Sequence, residues 1–493
     1  MFRKKTYDQK IYLFTLFLAL SLFAIYLINT LRNNALWLDE SFSIGIIKHS
    51  YADIVNITAI DVHPPLYYIL YKFFFVVVSG LGLPFSAVIA GKLFSLGCFL
   101  ILLLISLIIK KEFGSYSASI FVLMLIALPN IFYSAIDIRM YMLAMLTVTL
   151  TYISGYYIIK NNSPLWYLGL LIFGLLSSYT HYYACLACVF IYLIVLIDLV
   201  KLKRRLLPFI LTSLVMIIAY LPWLVVLIRQ FKTVSDGYWI PTLDQATIVS
   251  WFSFFLYPFK DSAQSFIFLL LIISTALISF VKMLRNHSSI QINYGMIGVL
   301  LPFLIIGLGY SVSVIDRPLY FDRYILPCIG VFALGYAVMM KAFTHNRIFK
   351  LVPIIVFSLT AIYTNIDIVK METKRAAQAI VLEDELNDLG NQDDIIFENS
   401  QIQRTVSIMT NANTYLFEPG TSTLSHLVYN NVYDYTGYPM IDEALNNNHY
   451  VYFVPQEGSE QMVEFAYNGY QLTKIGSYQL EGYFFDIYNV SKE

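Results

Sequence analysis

The chain has 493 residues, 58% hydrophobic and 13% charged, with a mean hydropathy of +0.66. That composition excludes a soluble globular protein. The apolar residues come in blocks of roughly 20, about what a helix needs to cross ~30 Å of hydrocarbon. The formal net charge is zero, but residues 371–493 carry 5 basic and 18 acidic residues against 27 and 14 in residues 1–370. This asymmetry of −13 against +13 marks a domain boundary near residue 370. Nothing in the sequence reads as a nucleic-acid-binding signal.

In chain order, "MFRKK" precedes a long apolar run without a small-residue cleavage site, which predicts an uncleaved first helix. Apolar runs at 11–31, 86–109, 116–135, 139–159, 164–180, 182–200, 206–228, 264–284, 294–312, 324–342 and 349–369 predict eleven membrane helices. Segments 64–79 and 248–259 are short spans or interfacial helices. Lipid offers no partner for open backbone groups, so the membrane part is helical. The basic clusters "MFRKK", "KKEFG", "KLKRR" and Lys341 to Lys350 fall on one side of the alternating count. By the positive-inside rule that side is the cytoplasm, and the acidic tail lies outside the plasma membrane.

The outer loop 32–85 is long for a connector, and "SFSIGIIKHSYADIVNITAI" has helical periodicity suited to an interface. From Met371 the texture changes. "KRAAQAIVLEDELNDLG" reads as an amphipathic helix ending at a glycine cap. "DIIFEN", "HYVYFVP" and "GYFFDIYNV" read as strands, with a helix near 459–466. The expected organisation is a membrane domain, 1–370, that includes loop 32–85, and a small acidic α/β domain, 371–493. The tail has no glycine-rich phosphate loop. The four cysteines, Cys98, Cys185, Cys188 and Cys328, all sit in apolar runs and form no disulfide or zinc pattern.

The unusual polar residues gather on the outer side. Asp39 and Glu40 follow the first span in "WLDESFSI", and His63 stands in "DVHPPLYY". Lys92 lies just inside the second span. Asp137, Arg139 and Tyr141 stand in "SAIDIRMY", His181 and Tyr182 in "YTHYY", Trp239 in "YWIP", and Arg323 and Tyr324 in "FDRYILP". Each has an ordinary alternative: Asp137 could pair with Arg139, Arg323 and Lys92 could snorkel, and Trp239 could belong to the aromatic belt. Their convergence on one face is the signal, because charges this near lipid face a cavity or a partner. A carboxylate there can take a proton from an acceptor hydroxyl. Cations there can bind a lipid phosphate and stabilise it as it departs. Aromatic faces suit sugar rings. This is equipment for moving a sugar from a polyprenyl-phosphate donor to an extracytoplasmic acceptor.

"LWLDESFS", "DVHPPLYYIL", "DIRMYMLAML", "SYTHYYACL", "LPWLVVLIRQ" with "YWIP", and "DRYILP" resemble the bacterial branch of the protein O-mannosyltransferase family, glycosyltransferase family 39. These are membrane enzymes of the GT-C fold, related to the lipid A aminoarabinose transferases. The resemblance spans residues 10 to 340. It implies an inverting glycosyltransferase in which Asp39 is the general base, or the acid that positions the acceptor, supported by Glu40, with Asp137 at the second acidic position. It implies further that Arg323 and Lys92 lie near the donor phosphate, that Arg139 helps hold the donor or orders the loop, and that His63 and His181 line the pocket. This branch more often carries Glu at the position of Asp137 and Arg at that of Lys92. A divalent cation on Asp39, Asp137 and His63 is open. The tail is not the sugar-binding module of the eukaryotic mannosyltransferases, so protein, cell-wall polymer and glycolipid acceptors all stand. The rival readings are a transporter or lipid-linked-sugar flippase, and a polysaccharide polymerase or ligase with a diphosphate-linked donor. Transporters place their polar sites near the midplane between repeats, and no repeat is evident here.

Overall fold

The computed structural model describes residues 6–128, 130–233, 244–256, 263–285, 290–315, 320–340, 347–417, 423–480 and 483–492. Among the described residues sixteen α-helices come first: α1 (Tyr7–Thr30), α2 (Leu38–Ile47), α3 (Tyr51–Ile60), α4 (Leu66–Gly80), α5 (Ala87–Phe113), α6 (Ser115–Ala127), α7 (Ile131–Ile136), α8 (Tyr141–Asn161), α9 (Pro164–Ser178), α10 (Tyr182–Lys201), α11 (Leu207–Thr233), α12 (Gln245–Leu256), α13 (Ala263–Arg285), α14 (Ile290–Ile315), α15 (Leu326–Met339) and α16 (Arg347–Leu386). An α/β region follows: β1 (Asp394–Phe397), α17 (Ser400–Met409), β2 (Asn413–Leu416), α18 (Thr423–Val428), β3 (Val432–Asp434), α19 (Tyr438–Asn446), β4 (Val451–Val454), α20 (Gln461–Tyr467), β5 (Tyr470–Leu480) and β6 (Tyr483–Lys492). The chain is thus a polytopic helical membrane protein with a small C-terminal sheet domain.

Among the described residues, eight helices are long and apolar enough to span a bilayer: α1, α5, α8, α10, α11, α14, α15 with the turn before it, and α16. The expected third span, 116–135, is not one helix. α6 stops at Ala127, and Leu128 is extended (φ −66°, ψ 137°), because the residue before Pro129 is disfavoured in helical geometry. Asn130 then turns left-handed (φ 64°) before the six-residue α7. α9 is also short, 15 residues, or about 22 Å at 1.5 Å per residue.

Contacts divide the chain into two compact units. The helical unit comprises Met1–Leu27, Val62–Tyr67 and Leu93–Ile368. At its centre are α8 and α15, each with 89% of its most apolar window buried, whereas α11 has only 17% buried and presents Ile217, Ile218 and Leu221 outward. α14 and α15 approach at glycines: a Cβ on Gly335 would stand 2.5 Å from the Gly295 carbonyl oxygen and 2.7 Å from the Val299 nitrogen. Small residues allow such backbone contact in membranes, where packing replaces the hydrophobic drive. Buried threonine hydroxyls on α8 bond within the helix: Thr149 donates to the Met145 carbonyl at 2.7 Å and Thr151 to that of Thr147 at 2.8 Å. Asn365 on α16 accepts from the Tyr26 hydroxyl at 2.9 Å and donates to the Ile126 carbonyl at 2.9 Å.

The α/β unit comprises Ile28–Asp61, Tyr68–Lys92 and Val369–Glu493. The expectation that loop 32–85 groups with the membrane helices is not met for most of it. α2 packs against α17 and α18, and α3 against α18. The predicted amphipathic stretch is two helices, broken where Ser50 caps α3 by accepting from the Asp53 amide at 3.2 Å. The sheet has the order β3-β2-β1-β4-β6-β5, with β3, β2, β1 and β4 parallel and β6 and β5 antiparallel additions. β1 is buried at every residue. Ile395 and Phe397 enter one core with Leu382, Leu386, Ile402 and Phe485; Ile396 enters the other with Phe453 and Phe465. Such two-sided burial is why "DIIF" reads as a continuous apolar run. The expected separate helix at the start of the tail is the last part of α16, which runs 40 residues without a break.

Candidate functional site

The helical unit gathers most of the singled-out residues around the turn between α9 and α10. His181 is the N-cap of α10, and its Nδ1 accepts from the Tyr183 amide at 3.1 Å. A nitrogen that accepts carries no proton, so the neutral ring keeps its hydrogen on Nε2. His181 is 2% exposed. Burial, with the neighbouring charges of His63, Arg139 and Arg323, holds its pKa well below the usual imidazole value. The ring therefore stays neutral and serves as an N–H donor.

Around it stand Tyr141 and Tyr324, each 5.5 Å away between ring centres, and His63 at 6.2 Å. Tyr183 stacks on Tyr324 at 5.0 Å. Arg323 lies in the 3-10 turn Asp322–Ile325 that leads into α15. Its guanidinium sits 6.0 Å from the centre of the Tyr141 ring and 5.3 Å from that of the Phe321 ring, within cation–π range of both. Arg139 and Asp137 are buried in the segment between α7 and α8, and the Asp137 carbonyl accepts from Ser95 Oγ at 2.6 Å. Two guanidiniums and a neutral imidazole donor in one buried neighbourhood are suited to an anion.

A cavity of about 310 Å³ opens beside this group. His63, His181, Tyr182, Gln230 and Tyr324 supply its polar lining, and Leu186, Leu227, Phe231, Leu308 and Val312 its apolar walls. Tyr182 accepts from Trp223 Nε1 at 3.1 Å and donates to Gln230 Oε1. An indole N–H only donates, so the direction of this relay is fixed. Sequence reasoning missed Gln230, Trp223 and Tyr183. A glutamine closing an otherwise apolar helix, in "LIRQ", was the available signal for the first.

Asp39, Glu40 and Lys92 belong to the α/β unit. Asp39 and Glu40 occupy the first turn of α2, where the helix dipole favours acids. Glu40 is buried, and its Oε2 accepts from the Trp37 amide at 3.2 Å, closing the N-terminus of the helix. Lys92 is 2% exposed and donates to the carbonyls of Asn33 at 3.1 Å and Ala35 at 2.8 Å. Its ammonium thus straps the loop that leads to Asp39. Trp239 lies outside the described residues. Among the described residues no three His, Cys, Asp or Glu side chains gather to hold a metal ion.

This helical unit and sheet domain define a membrane protein of the GT-C fold. The structure aligns with that of ArnT from Cupriavidus metallidurans bound to undecaprenyl phosphate, at a TM-score of 0.61 and 11% identity, over 96% of this chain and 97% of that one. The same protein in the apo state aligns at 0.49 and 11% over the same shares. No protein-family model matches the chain, and no curated protein matches it by sequence.

Proposed function

We propose that this protein is an inverting glycosyltransferase that moves a sugar from a polyprenyl-phosphate donor to an extracytoplasmic acceptor. The observation that carries the reading is the gathering of buried Arg139 and half-buried Arg323 around neutral His181, beside a cavity whose remaining walls are largely apolar. That pairing suits a phosphate on an isoprenoid chain. The likeness of fold to ArnT, whose structure holds undecaprenyl phosphate, supports it.

In the reaction, the acceptor hydroxyl oxygen attacks the anomeric carbon as the bond from that carbon to the phosphate oxygen breaks. The proton passes to Asp39, and the electron pair leaves with the lipid phosphate. The transition state is oxocarbenium-like. Arg323 and Arg139 offset the charge growing on the phosphate, with the Nε2–H of His181 as a further donor. His63, Tyr141, Tyr182 and Tyr324 shape the pocket, and Glu40 holds the first turn that carries Asp39. Asp137 is the second acid, set two residues before Arg139. The acceptor face and the tail lie outside the plasma membrane, with the N-terminus in the cytoplasm. The class of sugar and acceptor includes mannose and protein as one case among several.

The experiment is to supply purified protein with labelled undecaprenyl-phosphate sugars and follow release of undecaprenyl phosphate. Asp39→Asn should lose turnover and keep donor binding. A well-folded Asp39→Asn variant that consumes donor at the parent rate would remove Asp39 as the base. A parent that consumes no monophosphate donor would return the diphosphate-donor and transporter readings.

A further inference from the structure

Gly45 lies inside α2, where a glycine weakens a helix relative to alanine. Glycines at 80, 82 and 97 have nothing within 4 Å of a built Cβ, but a Cβ on Gly45 would stand 2.6 Å from Val428 Cγ1, 3.1 Å from the Val428 carbonyl oxygen and 3.3 Å from the Tyr429 ring. The absent side chain is therefore a fit to the end of α18. One turn before Gly45, Ser41 Oγ lies 3.3 Å from the Tyr429 hydroxyl. One turn after it, His49 Nε2 donates to the Val428 carbonyl at 3.0 Å. Ser41 and Gly45 lie four residues apart on one face of α2, His49 follows two residues past its end, and all three meet Val428–Tyr429.

The ends of α2 are tied within the same unit. Lys72 Nζ donates to the Ile47 carbonyl at 3.0 Å and to that of His49. Ahead of the helix, Asn33 Nδ2 donates to Glu372 Oε2 at 3.0 Å, and Arg375 pairs with Glu372 at 2.9 Å. Asp39 is two residues from Ser41, so whatever fixes the stripe fixes the acid's backbone.

We propose that Val428–Tyr429 is a seat for α2, and that its fit at Gly45 sets where the Asp39 carboxylate stands. The acidic domain then acts on the transfer reaction as a positioning element. Gly45, Val428 and Tyr429 are positioning residues that act through Asp39. This rests on the reading of Asp39 as the base.

The test uses the full-length protein in lipid nanodiscs, with Gly45→Ala, Val428→Ala and the double variant. Amide hydrogen exchange over residues 38–47 is read without substrate. Release of undecaprenyl phosphate is read with a set of undecaprenyl-phosphate-linked pentoses and hexoses. Gly45→Ala should speed exchange by about 10-fold or more, as overpacking does. It should also lower kcat on the order of 100-fold with donor KM unchanged, as misplacement of a reacting group does. Val428→Ala, by making room, should restore both in the double variant. A double variant no better than Gly45→Ala, or exchange indifferent to either substitution, would overturn the seat. Should the parent release no undecaprenyl phosphate, the transferase reading fails, while the exchange measurements still uphold or overturn the seat.

Discussion

His181 and Tyr183 are joined by a hydrogen bond that runs from the Tyr183 amide to the His181 ring, 3.1 Å from N to Nδ1. The side chain thereby caps α10 and commits its own tautomer. The same bond that starts the helix leaves the ring's hydrogen on Nε2.

A pH dependence follows. Burial, His63, Arg139 and Arg323 depress the His181 pKa, so the unfolded chain binds this proton more readily than the folded one. The stabilisation is complete above the unfolded value of about 6.5 and is lost as pH falls below it, by about 1.4 kcal/mol per unit of depression. Thermal unfolding in detergent should show Tm falling as pH drops from about 6.5 toward 5. His181→Asn keeps a capping oxygen but cannot titrate, and should flatten that part of the profile.

Arg323 sits between the Tyr141 and Phe321 rings, 6.0 Å and 5.3 Å from their centres, contacts that restrict its fork. Arg323→Ala should lower transfer by about 10²- to 10³-fold, the usual loss for one preorganised donor to developing charge. Arg323→Lys should recover only part, because an ammonium cannot present two parallel donors. Turnover of labelled donor and binding of undecaprenyl phosphate check both.

Lys92 gives hydrogens to two carbonyls, at 3.1 Å and 2.8 Å. Lys92→Met strands those oxygens, at about 1–3 kcal/mol each. The expected result is a lower Tm and faster exchange over residues 33–37, with donor KM little changed. A large rise in donor KM at unchanged stability would instead put Lys92 on the phosphate.

Glycines in the bundle should separate by their surroundings. Gly335→Ala forces a methyl against the backbone of α14 and should destabilise by about 1–3 kcal/mol. Gly307, also in a membrane helix, has nothing within 4 Å of a built Cβ, so Gly307→Ala should be neutral or stabilising by up to about 1 kcal/mol. Thermal unfolding in one detergent compares the two.

The spans were legible because lipid demands long apolar runs, and His63, Tyr141, His181, Tyr324 and Arg323 were legible because polar residues at span ends are scarce. The break after α6 was less visible, since the run stays largely apolar through residue 136 and only Pro129-Asn130 and Ser134 interrupt it. β2, β3 and β5 were hidden for another reason. "NTYL" and "VYD" are too short to show a period, and β5 is an edge strand whose Gln471, Lys474 and Ser477 face outward or sit at its bulge. The grouping of α2 with the tail depends on Gly45 meeting Val428, residues 383 positions apart, and no local pattern records that.

The bond between Tyr26 and Asn365 joins the first membrane helix to the last across 339 residues. A ribosome adding about 5–20 residues per second needs roughly 17–68 s to cover that interval. Throughout it, the Tyr26 hydroxyl has yet to meet its native acceptor. The first helix is therefore born early and settled late. An insertion machinery that shelters it from wrong partners would matter more to this chain than to one whose terminal helices pair with their immediate neighbours.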